Sequence, residues 1–301
     1  MRIGENEKVR DDLEKALYYA TKFANKVFVV KFSGEVLADK GIMDLVISDL
    51  ITLKYEAGIN VVVVHGGGKR ISSIMDKFGL EARFIDGLRV TDEDTLKVVQ
   101  AVLSDFNQKI VWNINQKGGK AIGISAVSGN LFTARKIHPD LGFVGSIEKV
   151  DSELVALFTR NEYIPVIYPI GADEEGTLLN INADHGASEL ACGLHAEKLI
   201  ILTPVRGVLR DINDENSLIP TLSLSEAKRI LEGSFITEGM KPKIESCIAA
   251  VEHGVKSAHI IGLKTHAILQ EVLTEKGSGT MITNLSLGGA PPHDPENPVR
   301  V

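Results

Sequence analysis

The sequence predicts an α/β protein, a three-layer αβα sandwich whose mainly parallel central sheet is shared by two lobes. Short apolar runs rich in β-branched residues alternate with segments of helical periodicity along all 301 residues. No long linker separates the halves. The run at 59–64 is almost continuously β-branched, which is typical of a parallel strand covered on both faces.

The amino-acid composition and net charge exclude some classes of function. The chain is 44% hydrophobic and 24% charged, an ordinary globular balance, and its net charge of -7 argues against nucleic-acid binding as the main activity. The first residues are charged where a signal peptide is apolar, and no apolar run reaches membrane length. Cys192 and Cys247 form no ligand motif and are expected as free buried thiols. These features predict a reduced, cytoplasmic protein that binds neither membrane nor nucleic acid.

The first quarter of the chain begins with a helix. Val9, Leu13 and Leu17 recur at helical spacing within 7–24, and this helix could pack either on its own domain or on another subunit. The first strand follows at 26–32. Lys31 stands at its carboxyl end, where it either extends to solvent or serves a site. Helical periodicity then returns at about 41–57.

The stretch at 59–71 organises the rest of the chain. The apolar strand ends in Gly66, Gly67 and Gly68, and a helix opens at Lys69. The triplet is neither a P-loop nor a dinucleotide fingerprint. It is either a tight turn or a corner whose backbone amides bind an anion, and such strand-to-helix corners are where open α/β sheets bind ligands.

The middle of the chain adds a basic residue and a lid. Arg89 follows a turn at 85–92, and Thr91 is expected to cap a helix that runs toward Ile114. A strand-to-turn unit at 118–128 precedes a β-hairpin at 131–150, which could cover a small ligand.

The second half repeats the alternation of strands and helices. Strands are expected at 163–170, 199–203 and 258–261. Asp184 begins a helix, where an aspartate is commonly an N-cap. Ser223 or Ser225 should cap another helix, and Lys243 falls in the first turns of the helix that follows Gly239. The predicted organisation is an N-terminal helix (1–25), an N-terminal lobe (26–184), a C-terminal lobe (185–283) and a disordered tail (284–301).

Two lysines, one acid and a glycine corner are the components that phosphoryl transfer requires. Lys31 and Lys243 could neutralise charge on the transferred group, the glycine amides could bind its oxygens, and Asp184 could orient the lysines or hold magnesium. Arg89 is suited to bind a substrate carboxylate with two parallel hydrogen bonds.

Seven motifs in order carry a resemblance to a known family. They are VVKFSGE (29–35), VVVHGGG (62–68), DGLRVTDEDTL (86–96), GFVG (142–145), NINAD (180–184), GVL (207–209) and GMKPKIE (239–245). The chain resembles the amino-acid kinase superfamily along nearly its whole length, and most closely its acetylglutamate kinase branch.

The resemblance implies the amino-acid kinase fold and phosphorylation of N-acetyl-L-glutamate by ATP with Mg²⁺, in arginine biosynthesis. It assigns catalysis to Lys31, Lys243 and Asp184, and no protein ligand to a metal. The implied substrate-binding residues are Gly67, Gly68, Arg89, Asn180 and Asn182. The implied nucleotide-binding residues are Ser33, Gly34, Thr203, Gly207, Gly239 and Met240.

The N-terminal helix and the segment at 266–282 resemble those of the arginine-inhibited subgroup. That likeness implies a homo-oligomer, a dimer or a hexamer, in which arginine binds between the helix and the C-terminal lobe. The implied arginine-binding residues are Tyr19, His266, Glu271 and Gly279.

The chain departs from the family pattern in two places. Ser33 and Gly34 stand where Gly-Gly is usual, and Pro204 and Arg206 occupy a loop that usually carries an Asp. Proline removes a carboxylate and a backbone donor beside the nucleotide. Two alternatives therefore stay open, which are a kinase with another acceptor and a catalytically weak regulatory subunit that binds arginine.

Overall fold

The computed structural model describes residues 2–233, 236–237, 239–275 and 277–284. Its strands are β1 (Val27–Phe32), β2 (Asn60–His65), β3 (Phe84–Ile85), β4 (Leu88–Arg89), β5 (Ala121–Ser125), β6 (Phe132–Lys136), β7 (Val144–Val150), β8 (Ile164–Tyr168), β9 (Ile170–Ala172), β10 (Leu178–Ile181), β11 (Lys198–Thr203), β12 (Thr221–Ser223), β13 (Ser257–Gly262) and β14 (Thr280–Thr283). Its α-helices are α1 (Arg2–Phe23), α2 (Gly34–Ala38), α3 (Lys40–Ile51), α4 (Gly68–Lys77), α5 (Glu93–Gln116), α6 (Glu153–Arg160), α7 (Ala183–Gly193), α8 (Leu224–Glu232), α9 (Lys241–Glu252) and α10 (Ala267–Leu273).

The central sheet has eight strands in the order β12-β14-β13-β11-β1-β2-β8-β5. Neighbouring strands are parallel except for the antiparallel β13–β14 pair, which confirms the predicted, mainly parallel sheet. The two predicted lobes meet where β1 pairs with β11.

Helices cover both faces of this sheet and make three layers. Along β1, Phe28, Val30 and Phe32 point into a core formed with α1, α3, α5 and α10. Val29 points to the opposite face, into a core formed with α6, α7, α8 and α9. Each fully buried apolar side chain of this kind contributes roughly 1.5–3 kcal/mol to burial free energy. The predicted three-layer sandwich is therefore confirmed.

Two smaller β units stand at the carboxyl edge of the sheet. Strands β6 and β7 form the hairpin predicted at 131–150 and close into a small barrel with β9 and β10. The two-residue strands β3 and β4 make a second hairpin. These units and the ends of β1 and β2 enclose the cleft described below.

One predicted helix start is wrong. Asp92, and not Thr91, caps α5, and its Oδ1 accepts a hydrogen bond of 2.8 Å from the amide of Thr95. Thr91 instead forms an isolated β-bridge with Gly142. Both residue types cap helices well, so local preference could not separate the two positions. The predicted Ser223 cap is confirmed as a capping box with Glu226.

Helix α1 divides its side chains between the core and the surface. Tyr19 and Phe23 are buried against the sheet, whereas Val9, Leu13 and Leu17 are 57%, 60% and 68% exposed. The apolar stripe recognised in the sequence is therefore not the face that packs on this domain. None of the described helices is both long and apolar enough to cross a membrane. The tail predicted at 284–301 lies, beyond residue 284, outside the described residues.

Candidate active site

A cleft of about 320 Å³ opens at the carboxyl ends of β1 and β2. In a parallel α/β sheet this edge is where ligands bind. Four cations and two carboxylates line the cleft, so it is positively charged although the whole chain is acidic. The residues predicted for catalysis and substrate binding that line it are Lys31, Gly67, Gly68, Arg89, Asn180, Asn182, Asp184 and Lys243, and Ser33 and Gly34 from the predicted nucleotide set lie beside them.

Two lysines converge on one buried carboxylate at the base of the cleft. Lys31 Nζ lies 2.6 Å from Asp184 Oδ1, and Lys243 Nζ donates to Asp184 Oδ2 at 3.2 Å. Lys243 also donates to the carbonyl of Gly239 at 3.1 Å. The three side chains are largely buried. They leave one positive charge in excess, so the cluster favours an additional anion.

Asp184 is not the N-cap of α7. Asn182 is the cap, and its Oδ1 accepts hydrogen bonds from the amides of Asp184 and His185. Since Asn182 satisfies the helix end, the Asp184 carboxylate is available to the lysines. Burial acts to raise the pKa of Asp184, but the charges of Lys31 and Lys243 outweigh burial and lower that pKa to about 2.

The glycine triplet connects β2 to α4 through a crowded corner. A Cβ on Gly67 would lie 3.2 Å from Leu103 Cδ2, and a Cβ on Gly66 would lie 3.2 Å from the Cβ of Ala183. Small residues let the corner approach its neighbours closely. Because α4 begins at Gly68, its free N-terminal amides and its dipole meet the cleft.

Arg89 lines the same cleft as Lys31 and Lys243. One guanidinium nitrogen donates to the Gly68 carbonyl and to Ser72 Oγ, each at 2.9 Å, and the group stacks 4.7 Å from the centre of the Phe84 ring. Burial lowers the pKa of Arg89. None of the ion pairs between described residues involves Arg89. A fixed, largely buried guanidinium of this kind is suited to an anionic ligand.

Comparison with known proteins agrees with this arrangement. A match to the amino acid kinase family spans residues 26–262. The chain belongs to the amino acid kinase family. The resemblance carried by the seven sequence motifs is thereby confirmed, and so is the kinase class. An acetylglutamate kinase of Methanococcus maripaludis strain C6 is 45% identical to this amino acid kinase over 283 residues, which cover 90% of this chain and 96% of that enzyme.

Solved structures related to this amino acid kinase include two of the N-acetylglutamate synthase of Neisseria gonorrhoeae. The structure with coenzyme A and N-acetyl-glutamate has a TM-score of 0.82 at 26% identity and matches 92% of this chain. The structure with coenzyme A and L-arginine has a TM-score of 0.80 at 25% identity over the same share. This chain spans 63% and 65% of those synthase chains, less than two thirds of their length.

The remaining predicted nucleotide residues lie beyond the lining of the cleft. Thr203 is the last residue of β11, and its carbonyl accepts a hydrogen bond of 3.1 Å from the amide of Leu263. Gly207 is enclosed, since a Cβ there would lie 2.7 Å from Thr280 Oγ1. Gly239 and Met240 immediately precede α9, which carries Lys243. These residues mark the C-terminal side of the kinase, and their nucleotide role stays a prediction.

The residues predicted to bind arginine divide between two places. Tyr19 and Glu271 line a small cavity of about 30 Å³ between α1 and the segment that precedes β14, and the amide of Gly279 donates to Glu271 Oε2 at 3.1 Å. His266 does not line this cavity. Its Nδ1 lies 2.6 Å from Asp49 Oδ1 on α3.

Sequence reasoning missed two side chains beside the cleft and one buried cluster. His65 ends β2 directly before the glycine triplet and is fully buried. The Thr91 hydroxyl contacts both Arg89 and Asn180. Lys198 lies within hydrogen-bonding distance of His259, which contacts Glu271. The signal available for His65 was a polar residue at the end of a β-branched run. Thr91 was missed because its position also suits a helix cap.

Proposed function

We propose that this amino acid kinase transfers the γ-phosphoryl group of ATP to the side-chain carboxylate of N-acetyl-L-glutamate, forming an acyl phosphate in arginine biosynthesis. The observation that carries the proposal is the Lys31–Asp184–Lys243 cluster, which faces the same cleft as Arg89. The 45% identity to an acetylglutamate kinase over 90% of the chain supports the choice of acceptor.

Arg89 and Asn180 are suited to hold the acceptor. Arg89 can pair with the α-carboxylate, and the amide of Asn180 can hydrogen-bond the acetamido group. Gly67 and Gly68 line the cleft with them. An acceptor bound in this way presents its side-chain carboxylate to Lys31 and Lys243.

The lysines stabilise charge during transfer. An acceptor carboxylate oxygen forms a bond to the γ-phosphorus, the bond from that phosphorus to the bridging oxygen breaks, and ADP leaves with the electron pair. The acceptor is already ionised at neutral pH, so no side chain has to remove a proton. Asp184 holds Lys31 and Lys243 at fixed positions, so that their charges need no reorganisation as the phosphoryl group moves.

Magnesium would accompany the nucleotide. Among the residues that the structure describes, no group of three histidine, cysteine or acidic side chains could hold a metal ion. Asp184, the carboxylate at the base of the cleft, is engaged by two lysines. The donor set therefore fits an ion held mainly by phosphate oxygens, which would neutralise charge on the phosphates. The predicted nucleotide residues on the C-terminal side would hold the rest of ATP.

We further propose that arginine inhibits the enzyme at the small cavity beside α1. Glu271 and Glu275 line it and could accept a guanidinium group, and Tyr19 closes one side. The structural relative that was solved with L-arginine supports this ligand class. Since the cavity holds about 30 Å³, binding would have to separate Tyr19 from the segment at 277–279. Arginine titration of activity tests the proposal, and a Glu271→Gln variant that stays fully inhibited would contradict it.

The exposed stripe on α1 supports a homo-oligomer. Val9, Leu13 and Leu17 form an apolar row on a surface helix, and a second copy of α1 would cover it. Sedimentation equilibrium of a Leu13→Asp, Leu17→Asp double variant tests this. A deletion of the whole helix is less informative, because Tyr19 and Phe23 belong to the core. An unchanged assembly in the double variant would contradict the proposal.

The direct test of the kinase is acyl phosphate trapping with hydroxylamine. Hydroxamate should form only with ATP and N-acetylglutamate together, and it should vanish in Lys31→Ala. Lys109→Ala, which removes an exposed lysine of α5, is the matched control and should retain activity. Hydroxamate with a different acyl amino acid only would indicate another acceptor. No product, with ATP binding intact, would favour a regulatory subunit and single out Pro204 for reversion.

A further inference from the structure

Thr91 lies between two residues that we assign to acceptor binding, Arg89 and Asn180. It is fully buried. Thr91 Oγ1 donates to the Arg89 carbonyl at 2.8 Å, and it accepts a hydrogen bond of 3.1 Å from Asn180 Nδ2. The Thr91 hydroxyl therefore links Arg89 to Asn180, and both of these residues line the cleft.

The backbone holds Thr91 in this position. Its amide donates to the Leu141 carbonyl at 2.9 Å, and its carbonyl accepts from the Phe143 amide at 2.7 Å. The Phe143 carbonyl in turn accepts from the Asn180 amide at 2.8 Å. Gly142 permits the approach, because a Cβ there would lie 2.3 Å from the Thr91 carbonyl oxygen and its φ is +67°.

The hydroxyl has one proton, and that proton decides which way the Asn180 amide faces. If the proton points to Asn180, the Thr91 oxygen and the Arg89 carbonyl oxygen face each other at 2.8 Å without a hydrogen between them, which is repulsive. The Thr91 hydroxyl therefore donates its proton to the Arg89 carbonyl oxygen, and Thr91 Oγ1 must accept a hydrogen bond from Asn180. Asn180 then has to present Nδ2 to Thr91 and Oδ1 elsewhere. Among the described residues, none donates a hydrogen bond to Oδ1.

We propose that Thr91 is a positioning residue for substrate specificity, which fixes the Asn180 amide so that its Oδ1 accepts a hydrogen bond from the acceptor substrate. The proposal rests on the acetylglutamate kinase function and deepens it. An acceptor with an amide N–H at this point satisfies Oδ1. An acceptor with an ester oxygen there places two lone pairs against each other. The device selects N-acylated over O-acylated acidic substrates.

Two acceptors that differ by one atom test this device. The first is N-acetylglutamate, and the second is the O-acetyl ester of 2-hydroxyglutarate, in which oxygen replaces the amide nitrogen. Dissociation constants are measured by calorimetry with a non-hydrolysable ATP analogue present. The wild-type chain should bind the amide at least about tenfold more tightly than the ester, since the ester leaves Asn180 Oδ1 facing another lone pair instead of a donor.

The decisive quantity is how this ratio depends on Thr91. Thr91→Val keeps the shape but removes the oxygen that accepts from Nδ2, so Asn180 is free to turn and the ratio should fall to within about threefold of unity. Thr91→Ser retains the hydroxyl and should preserve the wild-type ratio. A merely structural role would weaken both ligands equally in Thr91→Val and leave the ratio unchanged, which would overturn the proposal.

Asn180→Ala supplies an independent variant. It should abolish the discrimination by itself, and adding Thr91→Val should then change the ratio no further. If Thr91→Val does not fold, Asn180→Ala still decides, because retained discrimination in that variant overturns the proposal. If the wild-type chain binds neither acceptor, the kinase function and this inference fail together. If it binds N-acetylglutamate with a ratio independent of Thr91 and Asn180, only the inference fails.

Discussion

Two buried charge clusters stand on different sides of the fold, and they differ in how completely their charges are matched. The open cluster is Lys31, Asp184 and Lys243 in the cleft, with two cations on one carboxylate. The closed cluster is Lys198, His259 and Glu271, behind α1. There one cation is matched by one carboxylate, and His259 lies between them with Nδ1 2.7 Å from Glu271 Oε1.

The two clusters also differ in the free volume beside them. The open cluster faces about 320 Å³ of cleft, whereas the closed cluster borders about 30 Å³. Glu271 also accepts hydrogen bonds from the backbone amides of Ser278 and Gly279. Burial acts to raise the pKa of Glu271, but these bonds and His259 lower it to about 2. Excess charge beside free volume indicates a catalytic site. Matched charge beside little volume indicates a group that stabilises the fold, and a ligand could reach it only after the small cavity opens.

Removing the carboxylate of the open cluster should have the largest effect. In Asp184→Asn the lysines lose the charge that fixes them, and we expect kcat to fall about a thousandfold, which is roughly 4 kcal/mol of transition-state stabilisation. Hydroxamate formation under saturating ATP and N-acetylglutamate measures the loss.

Asp140→Asn is the control for that variant, since Asp140 is an exposed acid on the 3₁₀ turn Pro139–Leu141. It should keep the wild-type rate. A folded Asp184→Asn variant with a rate within about tenfold of wild type would break the comparison, because the open cluster would then be structural too.

Removing the carboxylate of the closed cluster should reduce stability more than activity. Glu271→Ala leaves His259 and two backbone amides without their buried partner, and we expect the free energy of unfolding to fall by about 3 kcal/mol. Urea unfolding followed by circular dichroism measures this change.

The neighbouring Glu275→Ala variant sharpens the contrast. Glu275 is partly exposed and pairs with Lys15 at 3.0 Å, so its removal should cost less than about 1 kcal/mol. Equal losses in the two variants would mean that the closed cluster contributes no more than a surface ion pair.

The fold could be predicted from the sequence because its signals are local and repeated. The β-branched runs of β1, β2, β8, β11 and β13 stand out from the helical segments between them. The short strands β12 and β14 were not predicted, since three or four residues carry too little periodicity. The same limit applies to the five-residue helix α2.

The candidate site was predictable in its members but not in its internal contacts. Lys31, Asp184 and Lys243 come from three separate segments, and their convergence depended on the expected order of strands. Which residue caps α7 could not be decided from sequence, because Asn182 and Asp184 are both good caps. Two of these contacts, Thr91 with Asn180 and His65 with Asn107, join residues far apart in the chain. No local sequence pattern predicts such contacts.

His65 extends the comparison to a buried ionisable group beside which the described part of the chain places no counter-ion. Asn107 Nδ2 donates to the Val166 carbonyl at 2.8 Å and lies 3.2 Å from His65 Nε2, so this ring nitrogen accepts and the ring is neutral. Burial lowers the pKa of His65 from 6.5 to about 4. As pH falls below 6.5 the unfolded chain takes up this proton and the folded chain does not, so stability must fall.

The expected loss between about pH 6.5 and about pH 5 is about 1.6 kcal/mol, because the slope is half of 1.36 kcal/mol per pH unit at the unfolded pKa and approaches that full value near pH 5. His65→Gln removes the titrating group and should flatten this part of the stability curve. Urea midpoints across this range give the slopes. If the His65→Gln curve stays as steep as the wild-type curve, the acid sensitivity above pH 5 originates elsewhere. In that case the neutral histidine beside the glycine corner contributes nothing to it.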